Sequence, residues 1–305
     1  MRNRGFSFTR SPTFQETATL QAIVEASRSK NSILVVGLDP DPARLPGVLA
    51  PRPEDDEREA ARKVRGFCLE ILEATAPFAA AFKLQSAYFE ALGVAGVEVY
   101  RDLLAEAGRA GLPTIADVKR GDIGSTARAY ARAHLSRFGA TCVTVNPYMG
   151  SEAVEPFLEE TRRLGRGGGV FSLVATSNPS SVSFQGATEP PVHEVAARLV
   201  AEVGLTGGDY PDCGAVVGAT RPEVGERVRE ILPDTLFLVP GFGAQGGGVE
   251  AVAALLDARG GGVVVNSSRA IIYAFEEQPH LDYREAAAGA AEKARRELSR
   301  AGRGL

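Results

Sequence analysis

Two lysines, Lys83 and Lys119, stand inside apolar segments of a chain that uses arginine at most of its cationic positions. Of its 34 basic residues only five are lysine, and these two occur in the segments AAAFKLQ and PTIADVKRGD. A lysine ammonium can be tuned to give up a proton, whereas a guanidinium stays charged. Their presence therefore indicates a need for a proton donor, with chance retention of a lysine at the edge of the core as the plainer alternative.

Carboxylates accompany both lysines. Asp39 closes the segment ILVVGLD, and Asp117 stands two residues before Lys119. Side chains alternate along a strand, so Asp117 and Lys119 are predicted to point to the same side, as are Lys83 and Gln85. An isolated buried charge is costly, so these groups are expected to pair. The alternative is a set of structural ion pairs at the rim of the fold, but two lysines with two or three acids exceed what stability requires.

Eight short apolar or β-branched runs alternate with helical periodicity along the chain. Strands are predicted over 33–39, 80–85, 113–119, 142–147, 169–176, 213–219, 236–241 and 262–268, and amphipathic helices over 57–74, 97–109, 124–137, 151–163, 192–203, 222–231, 249–258 and 283–299. Eight strand-then-helix units predict a single-domain α/β protein, a (β/α)8 TIM barrel, with a doubly wound open sheet as the alternative. In such a barrel catalytic groups lie at the carboxyl ends of the strands, where the charged residues above fall.

A glycine-rich loop and an arginine follow the last two predicted strands. Residues 240–248, PGFGAQGGG, open a helix whose free backbone N–H groups and positive dipole end suit an anion. Ser268 and Arg269 follow the eighth strand, and arginine presents a planar fork to phosphate oxygens. The loops after strands seven and eight are the usual phosphate site of a TIM barrel, so the sequence predicts that a phosphate group binds here.

The rest of the chain indicates the class of partner and the setting. The 305 residues carry a net charge of −4, which gives no basic field for nucleic acid. No apolar stretch is long enough for a membrane span or a secretory signal, so a cytoplasmic protein is expected. Three widely spaced cysteines are predicted to be buried, reduced thiols. Residues 1–30 are interpreted as an N-terminal extension with a helix over 14–27 that closes the lower end of the barrel, residues 31–305 as the barrel, and 177–191 as a lid.

An ordered set of motifs resembles the orotidine 5′-phosphate decarboxylase family, and most of all its longer bacterial, type 2 branch. The resemblance spans residues 33 to about 275, and DxKxxD together with PGxGAQGG is highly specific. The motifs are GLDP (37–40), FKLQSAYFEALG (82–93), DVKRGDIGSTA (117–127), NPYMG (146–150), TSNPSS (176–181), LVPGFGAQGG (238–247) and NSSR (266–269).

This resemblance implies an enzyme that converts orotidine 5′-monophosphate (OMP) to uridine 5′-monophosphate (UMP) and CO2 in de novo pyrimidine biosynthesis, without a metal or other cofactor. It implies that Lys119 protonates the ring carbon that loses CO2 and that Asp117 lies beside the departing carboxylate. Asp39 and Lys83 are implied to contact the ribose hydroxyls and to belong to the charge network. The chemistry agrees, because a carbanion without an electron sink needs a nearby positive charge and then a proton.

The same resemblance implies a homodimer in which Asp122, a member of the catalytic network, and Thr126 reach into the neighbouring subunit's site. Ser177 is implied to contact the pyrimidine, and Gln245 and Arg269 the phosphate. The chain departs from the family pattern at Ser268, where glycine is frequent. The substrate-binding residues that the resemblance implies are Asp39, Ile123, Thr126, Ser177, Pro240, Gln245, Ser268 and Arg269.

Two other functions are compatible with such a barrel. A sugar-phosphate decarboxylase or lyase of the same superfamily shares the DxKxxD strand but uses Mg2+ to hold an enediolate, so that EDTA would abolish its turnover. A catalytically silent barrel that binds nucleotides would have little reason to keep both Lys83 and Lys119 among so many arginines.

Overall fold

A computed structural model of the protein describes residues 20–242 and 248–302. Its eight strands are parallel and pair in sequence order, and β8 pairs with β1, so the sheet closes into a barrel. This confirms the predicted (β/α)8 architecture and excludes the open sheet. The strands are β1 Leu34–Leu38, β2 Ala81–Gln85, β3 Thr114–Arg120, β4 Cys142–Val145, β5 Gly169–Ala175, β6 Cys213–Val217, β7 Phe237–Val239 and β8 Val263–Ser267.

The strands are almost wholly buried, because each packs against the barrel interior on one face and against the outer helices on the other. Five of the eight, β1, β4, β6, β7 and β8, consist entirely of buried residues. In β2 and β3 the more exposed residues are Gln85, Lys119 and Arg120, all at the carboxyl end. The polar side chains of the sequence motifs therefore stand at one mouth of a hydrophobic barrel.

Helices surround the barrel in the order that the periodicity predicts. Within the described residues they are α1 Gln21–Lys30, α2 Glu57–Thr75, α3 Ser86–Glu90, α4 Gly93–Arg109, α5 Gly124–Ala131, α6 Glu155–Leu164, α7 Ser181–Gln185, α8 Val192–Val203, α9 Pro222–Ile231, α10 Val249–Ala253, α11 Arg269–Ile272 and α12 Tyr283–Leu298. A π-helical turn, Arg132–Arg137, continues α5. Aspartates begin two of the long helices: Asp56 accepts from Glu59 N at 2.8 Å and Asp282 from Arg284 N at 2.9 Å.

Several helix boundaries differ from those expected. The helix predicted over 97–109 begins at Gly93, and that over 249–258 ends at Ala253. The helix predicted from residue 151 begins at Glu155, because two 3-10 turns precede it. Pro156 fits the first turn of α6, where a missing N–H costs nothing.

Helix α1 covers the amino-terminal end of the barrel. Leu20, Ile23 and Val24 are fully buried. Ala22 N donates to Gly167 O at 3.1 Å, just before β5, and Lys30 Nζ donates to Ala79 O at 2.8 Å, just before β2. The helix was expected over 14–27; it runs three residues further, and residues 14–19 lie outside the described residues. The domain boundary at residue 30 stays a prediction.

The described helices include none with the length and apolarity to cross a bilayer. The cytoplasmic location stays a prediction. The cysteines Cys68, Cys142 and Cys213 are free and buried, as expected. Burial raises the pKa of each thiol, so the thiols are protonated and unreactive at neutral pH.

Candidate active site

Asp117 is the centre of a buried network at the carboxyl end of the barrel. Its Oδ1 accepts hydrogen bonds from Lys119 Nζ at 2.6 Å and from Thr144 Oγ1 at 2.9 Å. Its Oδ2 accepts from Lys83 Nζ at 2.8 Å and from Gln85 Nε2 at 3.1 Å. An ionised carboxylate has about four lone-pair sites, so these four donors use its whole accepting capacity.

Asp117 and Lys83 stay ionised although both are buried. Burial alone would raise the pKa of Asp117, but Lys83 and Lys119 outweigh burial and lower that pKa to about 2. Burial alone would likewise lower the pKa of Lys83, but Asp39 and Asp117 raise it. Lys83 Nζ lies 3.6 Å from Asp39 Oδ1, an ion pair slightly longer than a hydrogen bond. The buried pair at the centre therefore carries full opposite charges at neutral pH.

The two lysines differ in their exposure to solvent. The side chain of Lys83 is 7% exposed and that of Asp117 8%, whereas that of Lys119 is 45% exposed. Lys119 is therefore the ammonium of this network that a molecule entering the mouth would meet. Its side chain reaches Asp117 as predicted, but the predicted reason, regular strand alternation, is wrong. The pairing of β3 with β4 shifts between Ala116 and Arg120, and Lys119 has a left-handed backbone with φ 46°.

Arg269, just after β8, lines a cavity of about 330 Å³. It is exposed and is the first residue of α11, and it forms no salt bridge with any described acid. Arg44 lines the same cavity but already has partners. It forms a salt bridge with Glu276 at 2.6 Å, and its guanidinium stacks 3.8 Å from the centre of the Tyr273 ring. Arg269 is thus available to an anionic ligand in a way that its neighbour is not.

Of the other residues predicted to bind phosphate, Ser268 directly precedes Arg269 in the chain. Ser268 Oγ accepts from Asn266 Nδ2 at 3.1 Å, and the serine packs onto Gly37 of β1, where a β-carbon would lie 2.8 Å from Ser268 Cβ. Pro240 is half-buried just after β7. Gln245 lies outside the described residues, in the gap between 242 and 248.

Ser177 follows β5 and packs against the turn after β6, where a β-carbon on Gly218 would lie 3.0 Å from Ser177 Cβ. The loop 177–191 that contains it includes the short helix α7. The Phe184 ring in α7 lies 5.9 Å from the Tyr148 ring, which follows β4. The predicted lid is therefore in contact with the neighbouring loop at the mouth of the barrel.

Asp122, Ile123 and Thr126 stand on the loop and first turn that follow β3. Asp122 accepts from Ile123 N at 2.8 Å, and Ile123 is 45% exposed. Thr126 is exposed on α5. Within the described part of a single chain, Asp122 forms no ion pair, so the fold of one subunit does not bring it onto Lys119.

Sequence reasoning missed two further residues of this region. Thr144 lies in the strand segment CVTVNP beside β3, and a hydroxyl among apolar neighbours at a strand end was the available signal. Tyr273 Oη accepts from Asp41 N at 2.6 Å and donates to Asp39 O at 3.3 Å. Tyr273 thereby ties the helix that begins at Arg269 to the loop after β1.

Comparisons with known proteins identify the family to which this chain is similar. A model of the family described as "Orotidine 5′-phosphate decarboxylase / HUMPS family" matches residues 17–282. The orotidine 5′-phosphate decarboxylase of Aromatoleum aromaticum is 45% identical over 262 residues, covering 84% of this chain and 90% of that protein. That of Bordetella avium is 44% identical over 282 residues, covering 89% and 95%. Among solved structures, the OMP decarboxylase of Leishmania donovani superposes with a TM-score of 0.72 at 30% identity, covering 93% of this chain and 98% of that one.

Proposed function

This chain belongs to the orotidine 5′-phosphate decarboxylase family and is a carboxy-lyase that converts OMP to UMP and CO2 in pyrimidine biosynthesis; we propose that Lys119 is its general acid. The observation that carries this proposal is the placement of the Lys119 ammonium, 2.6 Å from the buried Asp117 carboxylate and 45% exposed at the mouth. The Lys119 ammonium is held in place by Asp117 on one side and is accessible to a ligand on the other.

The reaction needs such a group. The bond between the pyrimidine ring and its carboxylate breaks, CO2 leaves, and the electron pair stays on the ring carbon. A preorganised ammonium stabilises that negative charge as it develops, and its N–H then gives the proton to the same carbon. Asp117 holds Lys119 in place and lies beside the departing carboxylate. Lys83 compensates the charge of Asp117 and, with Asp39, binds the ribose hydroxyls.

We assign the other end of the nucleotide to the loops after β5, β7 and β8. Arg269 binds the phosphate, because it is exposed on a cavity and lacks a described acidic partner. Gln245, Pro240 and Ser268 complete the phosphate site, and Ser177 contacts the pyrimidine. Binding energy gained at the phosphate is then available to orient the ring at Lys119.

The active unit that we propose is a homodimer in which Asp122 and Thr126 complete the neighbouring site and Ile123 contacts the substrate there. Exposed apolar side chains at the mouth support a contact between subunits. Ile123 is 45% exposed, Met149 47% and Tyr148 75%. Side chains of this kind cover one another when two subunits associate.

We propose that the enzyme uses no metal and no other cofactor. The donor set supports this, because Lys83, Lys119, Gln85 and Thr144 already occupy the carboxylate of Asp117, which a Mg2+ ion would need as a ligand. A Mg2+-dependent lyase of the same superfamily therefore fits this site poorly. A catalytically silent nucleotide-binding barrel is disfavoured, because the relatives of this chain are named as orotidine 5′-phosphate decarboxylases.

An ultraviolet assay of OMP loss in the presence of EDTA tests the proposal. We expect full turnover in EDTA, and loss of about 10⁴-fold or more in kcat for Lys119→Ala with UMP binding retained. Lys293→Ala, which removes a lysine on the outer helix α12 whose side chain is 77% exposed, is the matched control. Near-normal turnover of the Lys119 variant would refute the general-acid role, and loss of turnover in EDTA would refute the cofactor-free reaction.

A further inference from the structure

Strand β3 departs from regular pairing with β4 at the catalytic residues. The pairing is regular up to Ala116 and Val143, but the next pair joins Arg120 to Val145. Three residues of β3 therefore lie opposite one residue of β4, and the last of the three, Lys119, has φ 46°. Residues other than glycine seldom adopt this left-handed region, so surrounding contacts must hold the backbone there.

The three unpaired residues of β3 form a bulge, and Thr144 is the β4 residue opposite it. The Thr144 hydroxyl forms hydrogen bonds with three atoms of the bulge. Its Oγ1 donates to Asp117 Oδ1 at 2.9 Å and accepts from the backbone N–H groups of Val118 and Lys119, each at 3.0 Å. A hydroxyl has one proton and two lone pairs, so its capacity is fully used. Thr144 is 1% exposed, so these bonds are shielded from water.

We propose that Thr144 is a positioning residue for the decarboxylation: its hydroxyl holds the backbone that turns Lys119 toward Asp117 and orients the carboxylate that fixes the ammonium. The inference rests on the general-acid role proposed for Lys119. Thr144 bonds to the backbone of that residue and to the side chain of Asp117, and acts through both.

Removal of the hydroxyl has two separate consequences. The N–H groups of Val118 and Lys119 lose their shared acceptor, so the left-handed turn loses its support in a place that water does not reach. Asp117 keeps its three other donors but loses one of the four hydrogen bonds that fix the orientation of its carboxylate. Both changes displace the Lys119 ammonium from the reacting carbon, and a displacement of about 1 Å is enough to cost about 100-fold in rate.

A purely structural role is the competing explanation, since β-branched residues favour buried strands. Valine has the shape of threonine without its hydroxyl, so Thr144→Val keeps the packing and removes the three hydrogen bonds. Thr144→Ser keeps the hydroxyl and removes the methyl group. Thr75→Val is the matched control, because Thr75 is fully buried on α2 and its Oγ1 donates to Ile71 O at 2.7 Å, away from the site.

The experiment measures kcat and KM for OMP, the Kd of UMP and the Tm of each variant. We expect Thr144→Val to lower kcat by about 10- to 100-fold while KM and the Kd of UMP change less than about threefold. Thr144→Ser should recover most of the lost kcat, and Thr75→Val should leave kcat unchanged even if its Tm falls. If Thr144→Val does not fold, Thr144→Ala is measured in its place, with the serine variant again as the rescue.

Two outcomes would overturn the inference: a folded Thr144→Val enzyme with normal kcat, or a serine variant as impaired as the valine or alanine variant. The Lys119→Ala enzyme separates this failure from failure of the proposed function. Normal turnover without Lys119 refutes the general-acid role itself. If Lys119→Ala is inactive but Thr144→Val is fully active, only the role of Thr144 is refuted.

Discussion

Ser268 occupies the space that a side chain on Gly37 would need. A β-carbon built on Gly37 would lie 2.8 Å from Ser268 Cβ, 3.0 Å from Asn266 Oδ1, and closer still to Ser268 Oγ. The two residues are neighbours because β1 and β8 pair in the register Val36↔Ser267. The glycine of the GLDP motif therefore makes room for the serine that stands before Arg269.

Gly37→Ala should consequently destabilise the protein and weaken substrate binding, and Ser268→Gly should reverse both effects. Overpacking of a tight site costs about 1–3 kcal/mol. Urea denaturation and KM for OMP, measured for the two single variants and the double variant, check this. The relationship is disproved if the double variant is no more stable than Gly37→Ala alone.

Arg269→Ala should raise the KM for OMP by about 10- to 100-fold, because a charge-assisted bond to phosphate contributes about 1.5–3 kcal/mol. Arg44→Ala is the control on the same cavity, and its effect should be smaller because Arg44 already bonds Glu276. Steady-state kinetics with OMP and binding of uridine, which lacks phosphate, give the comparison. An equal loss of uridine affinity in the Arg269 variant would show that this arginine does not act through phosphate.

Mixed dimers can show whether Asp122 serves the neighbouring site. Lys119→Ala and Asp122→Asn homodimers should each be nearly inactive, whereas dimers with one subunit of each kind should contain one intact site. Random pairing should then restore about one quarter of wild-type activity. The assay is OMP turnover after co-expression, with the dimer confirmed by its sedimentation. No recovery on mixing would place the action of Asp122 within its own subunit.

Lowering the pH should reduce the contribution of Asp117 to the free energy of unfolding. Its pKa is lowered from 3.8 to about 2 in the folded protein, so the stabilisation is fully present above about pH 4 and is lost as the pH falls toward 2. The stability difference between wild type and Asp117→Asn should be constant from about pH 7 to pH 5 and shrink by about 2 kcal/mol toward pH 2.

Urea midpoints measured from pH 7 to pH 3 test this dependence. Asp102→Asn, which removes an exposed carboxylate on α4 paired with Arg101, is the control and should show no comparable change. A stability gap for Asp117→Asn that stays constant down to pH 3 would contradict the expectation.

The barrel and most of its site could be predicted from the sequence because both depend on local patterns. Alternating apolar strands and amphipathic helices place eight carboxyl ends at one mouth, and Asp117 and Lys83 meet there because each lies in the carboxyl-terminal part of its strand. The bulge after Ala116 could not be predicted, since its left-handed position is a lysine and lacks the glycine or asparagine that marks such a turn. The role of Thr144 depends on that bulge, and so it was also missed.

The saturation of Asp117 by four donors bears on how Lys119, the general acid that we propose, regains its proton after each turnover. A carboxylate with no vacant lone pair and a strongly depressed pKa cannot carry protons, so Asp117 is not a relay that could refill the amine. The exposed side of Lys119 gives the replacement proton a direct route from bulk water once the product has left. In heavy water the hydrogen added to the ring should therefore be deuterium, drawn from solvent on every cycle.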